Sequence, residues 1–193
     1  MKILRWIPNI LTIARINLTL IYLIFLFKLN IHPNNELYLI YEVILFILIC
    51  LTDFLDGKLA RKLLVSSAFG SILDVTADLI FIISTLILLN INNKIPTWFI
   101  FVVLFKFIEF IFTSSIIKSS NNVFVFDCFG RIAAVNFYLV PGLTLLTYIG
   151  VNISYLNIFL YITLILVISS SFERCVNCYK ILKIKADDRI LDR

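Results

Sequence analysis

Residues 37–91 read LYLIYEVILFILICLTDFLDGKLARKLLVSSAFGSILDVTADLIFIISTLILLNI. Two apolar runs flank a polar centre, and neither alternates polar and apolar residues as a half-buried strand does. Each run is about 20 residues long, enough at ~1.5 Å per residue to cross the ~30 Å hydrocarbon core of a bilayer. The centre spells D-x2-D-G-x2-A-R-x8-G-x3-D-x3-D, fixed at Asp53, Asp56, Gly57, Ala60, Arg61, Gly70, Asp74 and Asp78. It holds four of the chain's 12 acidic residues. A charged carboxylate near hydrocarbon costs about 2.5–3.5 kcal/mol on insertion scales, so a chain that places four there is expected to use them.

The same reading extends outward. Further apolar runs at 16–31, 97–116, 131–150 and 153–173 join those at 37–56 and 71–91. At 61% hydrophobic and 15% charged, the 193 residues lie outside the range of a soluble domain and have room for one folded unit. The expected fold is therefore an all-α membrane protein of six transmembrane helices, a single domain over 1–193. The first run is short and is expected to borrow from Ile10 onward, with Arg15 and Lys28 snorkelling to its two edges. Residues 1–15, with Trp6 among Lys2, Arg5 and Arg15, suit a helix lying in the interface. Asn9, Thr12, Arg15 and Asn17 interrupt any signal-peptide core and no small-residue cleavage site follows, so this segment is expected to be retained.

A net charge of +5 could suggest nucleic acid, but its distribution points to membrane topology. The N-terminus, the 57–70 and 117–131 connections and the tail hold 14 of the 17 Lys and Arg residues. The opposite loops hold only Lys28 and Lys94, while Lys106 falls inside a helix. This asymmetry predicts that both termini and the acidic segment face the cytoplasm, with no nucleic-acid partner. His32 lies in the opposite loop and is expected to be solvated. The tail, 179–193, alternates charges and is expected to form a short surface helix or to fray. Cys50, Cys128, Cys175 and Cys178 make no disulfide framework. The C-x2-C at Cys175 lacks a second ligand pair for zinc and is expected to be reduced.

Asp53 and Asp56 are spaced i,i+3, and Asp74 and Asp78 i,i+4, so each pair shares one helix face. A hairpin of the two helices would bring the four carboxylates together at similar depth. Like charges so placed repel unless a partner neutralises them. All-oxygen ligation favours Mg²⁺, Mn²⁺ or Ca²⁺ over zinc or copper, and four carboxylates suffice for two bridged ions around a phosphoryl group. Gly57 and Ala60 leave room for a ligand against the helix, and Arg61 is a bidentate phosphate donor. Singly, each of these residues also has a structural explanation: a helix cap, close helix packing or the charge asymmetry.

Position for position, Asp53–Asp78 resembles the signature of the CDP-alcohol phosphatidyltransferase family, and the six-span topology resembles it over essentially the whole chain. That resemblance implies an enzyme of phospholipid biosynthesis in the cell membrane. It would transfer a phosphatidyl group from CDP-diacylglycerol to a small alcohol acceptor and release CMP. It also implies two Mg²⁺ or Mn²⁺ ions on Asp53, Asp56, Asp74 and Asp78, with Asp78 also the general base. Gly57, Ala60, Arg61 and Gly70 would border the nucleotide, and the protein would be a homodimer. The opening Pro8-Asn9-Ile10-Leu11-Thr12 with Arg15 is similar to that of phosphatidylglycerophosphate synthases, making glycerol 3-phosphate the expected acceptor. Lys118 and Arg131 are candidate ligands of its phosphate. The sequence departs from that subgroup at Leu79, where a lysine is usual, and at Gly130-Arg131-Ile132-Ala133-Ala134, where Gly-Lys-x-Lys-Thr is expected. Serine, inositol phosphate or a phospholipid alcohol stay open as acceptors. An intramembrane prenyltransferase also pairs Asp motifs with Mg²⁺, but the Asp-Gly-x2-Ala-Arg segment and the six spans argue against it; a non-enzymatic divalent-cation-binding membrane protein is the other alternative. Lys106 and Glu109, i,i+3, suit either an ion pair or a site-facing role. Asn136 suits either an interhelical hydrogen bond or a cavity lining.

Overall fold

The computed structural model describes residues 7–62, 68–118 and 128–191, with side chains at 10–56, 58, 70, 72–113, 129–180, 182 and 183. Among them are six α-helices and no strand. These are α1 (Ile7–Ile31), α2 (Glu36–Lys62), α3 (Ala68–Ile91), α4 (Thr97–Lys118), α5 (Cys128–Leu146) and α6 (Ile153–Leu191). Five are long and apolar enough to cross a membrane: α1, α2, α3, α5 and α6. The sixth, α4, carries Lys106 and Glu109 in its interior, and its side chains are described only for 97–113.

Turn chemistry fixes where the helices stop. Asn35 precedes α2, and its Oδ1 accepts the Leu37 backbone N–H at 3.1 Å, capping one of the free donors of that helix start. After α3, Asn93 takes a left-handed conformation (φ 56°), which asparagine tolerates better than most residues. The Lys94 N–H then bonds the Leu89 carbonyl at 2.9 Å, and the Asn90 side chain bonds the Ile95 carbonyl at 2.7 Å. Pro141 lies inside α5, which ends in a 3₁₀ turn, Thr147–Ile149, closed by Gly150 at φ 94°.

The chain divides into two compact units: Met1–Pro96 with Val140–Ile153, and Thr97–Leu139 with Ser154–Arg193. In the first, α1 packs against both α2 and α3. Tyr22, Leu26 and Leu29 of α1 are buried, as are Ile49 of α2 and Phe81, Leu86 and Leu89 of α3. The Tyr22 and Phe81 rings meet edge-on at 5.5 Å. Gly142 of α5 belongs to this unit, and a Cβ there would stand 2.6 Å from the Phe46 ring. In the second unit Phe99 packs on Phe137 at 6.1 Å, and Trp98 stacks on Tyr161 at 5.5 Å. Many large apolar side chains, Ile24, Ile44, Phe105, Val135 and Ile165 among them, point outward along the helices. Helices apolar all round suit lipid as the surrounding medium.

Several expectations change here. No break separates an interfacial segment from the first span, because α1 is continuous from Ile7 to Ile31 and its 22-residue apolar stretch starts at Ile10. Residues 1–6 lie outside the described residues. The tail from 179 to 191 is likewise no separate surface helix, since α6 runs unbroken to Leu191. Arg15 does not snorkel: it is fully buried. Lys28 and His32 are exposed as expected.

Glu42 of α2 is fully buried, and among the described residues neither of its carboxyl oxygens has a hydrogen-bond partner. Leaving a buried polar group unpaired costs about 1–3 kcal/mol. Glu42→Leu is therefore expected to stabilise the protein by an amount of that order, read as a higher thermal unfolding midpoint in detergent.

Candidate metal and nucleotide site

The turn between α1 and α2 makes them antiparallel, which brings the first third of α1 level with the last third of α2. Arg15 projects from α1 at that level. Its Nη2 pairs with Asp56, and its Nη1 lies 3.0 Å from Asp53 Oδ1, 3.0 Å from Asp74 Oδ1, and in contact with Asp78 Oδ1. All four signature carboxylates thus gather on one guanidinium. The i,i+3 and i,i+4 spacings allow this, because each aspartate pair is stacked on the face its helix turns toward α1.

The four carboxylates are not equivalent. Asp56 is buried (4% exposed), whereas Asp53, Asp74 and Asp78 are partly open at 37%, 38% and 23%. Asp53, Asp56 and Asp74 each offer an oxygen within 4.8 Å of the others, a spacing suited to one divalent ion. Asp78 stands outside that trio and joins the cluster through Arg15. The donor set is all oxygen, partly reached by solvent, and carries four formal negative charges against the single positive charge of Arg15. It fits Mg²⁺ or Mn²⁺ chemically.

Gly57, Ala60 and Arg61 continue α2 one turn past Asp56, and their side chains lie outside the described residues. Gly70 sits in the first turn of α3, four residues before Asp74. Of the acceptor candidates, Arg131 is exposed near the start of α5, in the second unit, and the Lys118 side chain lies outside the described residues.

Arg15 is the site residue that local reading missed. A cation at the edge of an apolar run has a cheap exit toward water, so snorkelling was the natural expectation. A signal was nonetheless present: Thr12, Arg15, Thr19 and Tyr22 recur at helical spacing on α1, and all four are buried. The Thr19 hydroxyl donates to the Arg15 carbonyl at 2.9 Å, which satisfies it within the helix.

In the second unit, Lys106 and Glu109 form a buried ion pair at 3.1 Å. Lys106 Nζ also reaches Ser170 Oγ at 2.6 Å, and the Ser171 hydroxyl donates to Glu109 Oε2 at 2.5 Å, linking α4 to α6. Asn136 Nδ2 donates to Thr163 Oγ1 at 3.3 Å, an interhelical bond between α5 and α6. Cys50, Cys175 and Cys178 are free thiols.

The sequence is similar to those of known proteins. The CDP-alcohol phosphatidyltransferase family model matches residues 5–169. A Bacillus subtilis CDP-diacylglycerol–glycerol-3-phosphate 3-phosphatidyltransferase is 30% identical over 65% of this chain and 69% of its own. The Rickettsia bellii protein of the same name is 37% identical over 46% of each chain. A putative cardiolipin synthase of Mycobacterium bovis is 28% identical over 51% of this chain and 44% of its own. Against the Rickettsia relatives the match spans about half of their length. With the family model covering Arg15, all eight signature positions and five of the six helices, the chain belongs to the CDP-alcohol phosphatidyltransferase family.

Proposed function

We propose that this protein is an enzyme that transfers a phosphatidyl group from CDP-diacylglycerol to glycerol 3-phosphate and releases CMP. The observation that carries the proposal is the convergence of Asp53, Asp56, Asp74 and Asp78 on one point, within a chain of this family. Asp53, Asp56 and Asp74, with Asp78 beside them, would hold two Mg²⁺ or Mn²⁺ ions. Bound there, such ions neutralise a pyrophosphate and stabilise the leaving phosphate. Gly57, Ala60, Arg61 and Gly70 border the cytidine nucleotide, and Arg131 and Lys118 receive the acceptor's phosphate.

Asp78 is the general base in this reading. It stands outside the trio of close carboxylate oxygens and is a quarter exposed, which leaves it open to an acceptor hydroxyl while the trio holds metal. The acceptor hydroxyl gives its proton to Asp78 while its oxygen bonds to the phosphatidyl phosphorus. The bond from that phosphorus to the bridging oxygen breaks, and CMP leaves with the electron pair. A membrane-edge position suits a donor whose acyl chains are in lipid and whose nucleotide is in water. The proposed setting is the cell membrane, with α4 as a sixth span, both termini and the site at the cytoplasmic face, and a homodimeric assembly.

A second acceptor, a phospholipid alcohol such as phosphatidylglycerol, has specific support. Leu79, Ala133 and Ala134 replace the lysines and threonine expected of a glycerol 3-phosphate enzyme, and one relative is a putative cardiolipin synthase. The test is CMP release by purified protein from CDP-diacylglycerol with glycerol 3-phosphate, serine, inositol phosphate or phosphatidylglycerol. Glycerol 3-phosphate is expected to give the fastest release. Preference for phosphatidylglycerol would transfer the assignment to the second acceptor.

A further inference from the structure

Among the described residues, Arg15 is a closely constrained charge. It lies on an apolar helix, is fully buried, and meets four carboxylates drawn from two other helices. A buried guanidinium is tolerated only when it is paired and hydrogen-bonded, so its partners are required and not incidental. Yet those partners are the oxygens that a divalent ion would need. Asp53 Oδ1 and Asp74 Oδ1 both lie 3.0 Å from Arg15 Nη1, and both residues belong to the trio within 4.8 Å. Oxygen–metal bonds run from about 2.0 to 2.6 Å, so an ion in the trio sits within a few ångströms of the guanidinium. Two cations that close, in a site of low dielectric, oppose one another.

We propose that Arg15 is an internal counter-cation that competes with the divalent ion for the four carboxylates. It offsets part of the cluster's negative charge before loading, and it sets how tightly the ion binds. This inference rests on the proposed divalent-ion site. It accounts for an arginine, and not a lysine, at this position: one planar fork can present donors to carboxylates on α2 and α3 at once, whereas an ammonium is a point charge. It also lessens the repulsion among four carboxylates brought together in a membrane protein.

The test uses full-length protein in detergent, with Mn²⁺ as the probe and no turnover. Free Mn²⁺ is followed by its electron paramagnetic resonance signal, and thermal unfolding is measured in EDTA and in Mn²⁺. In Arg15→Gln, Mn²⁺ affinity is expected to rise by roughly tenfold or more, a normal size for coupling between two bound species. Its unfolding midpoint is expected to fall in EDTA and recover in Mn²⁺, giving a larger metal-induced rise than in the unsubstituted protein. Arg15→Lys serves if the glutamine variant does not fold. It keeps the charge, loses the fork, and is expected to bind Mn²⁺ more tightly than the unsubstituted protein. Equal or weaker Mn²⁺ binding in a folded variant overturns the competition while leaving the metal site intact. Absence of Mn²⁺ binding to the unsubstituted protein overturns the metal reading and this inference together.

Discussion

Asp78→Asn is expected to lower CMP formation by about 10²–10⁴-fold, the usual contribution of a general base. Asparagine keeps the shape and can still meet Arg15, so the four-carboxylate cluster loses a charge without losing its packing. Because Asp78 stands outside the trio of close oxygens, its loss should cost the rate more than it costs Mn²⁺ affinity. Asp56→Asn is the contrast. Asp56 is the buried member of the trio, and its substitution should weaken Mn²⁺ binding first. Steady-state CMP release and a Mn²⁺ titration of the two variants separate these roles. Equal effects of both substitutions on rate and on affinity would remove the distinction between base and ligand.

The second large effect is on stability, in the other unit. Lys106→Met leaves Glu109 as an uncompensated buried charge between α4 and α6, together with Ser171. Breaking a buried pair in this way costs about 3–5 kcal/mol. Replacing both members by apolar residues, Lys106→Met with Glu109→Leu, removes that penalty and is expected to return the unfolding midpoint close to its starting value. If the double variant is as unstable as the single one, hydrogen bonds to Ser170 and Ser171 hold the helices together and the ion pair contributes little.

How much of this was legible in the sequence depends on the distance over which each residue acts. The helices were legible because apolar runs of membrane length leave few alternatives, and Asn35, Asn93 and Gly150 mark their ends. The pairing of Asp53 with Asp56, and of Asp74 with Asp78, follows from helix geometry alone. Arg15 was harder because its partners lie 38 to 63 positions away in the chain. Nothing in α1 by itself says which helix its polar stripe faces. The first apolar stretch does begin at Ile10, as expected, while the unbroken runs of α1 from Ile7 and of α6 past Tyr179 are less legible for a related reason. Charged and polar residues suggested a boundary, but in α1 burial against α2 and α3 outweighs that local signal. Glu42 is not legible from sequence, because a single glutamate in an apolar run gives no spacing to interpret. Its burial is visible only in the packed structure.

The acceptor is less legible than the donor for a physical reason. In the proposed reading a nucleotide pyrophosphate is held through divalent ions, which call for several carboxylates at fixed spacing, and all eight signature positions are present. An acceptor phosphate needs only one or two cations, and these can come from any neighbouring loop. Arg131 meets that need chemically, but the charge asymmetry of the chain explains it equally well.

The most direct measurement is CMP release by the purified protein from CDP-diacylglycerol and glycerol 3-phosphate, run with Mg²⁺, with Mn²⁺ and with EDTA. CMP is expected only when both metal and acceptor are present, with recovery when metal is added back after chelation. CMP formed at the same rate in EDTA, or none from CDP-diacylglycerol with any hydroxyl acceptor under metal, would contradict the proposed function.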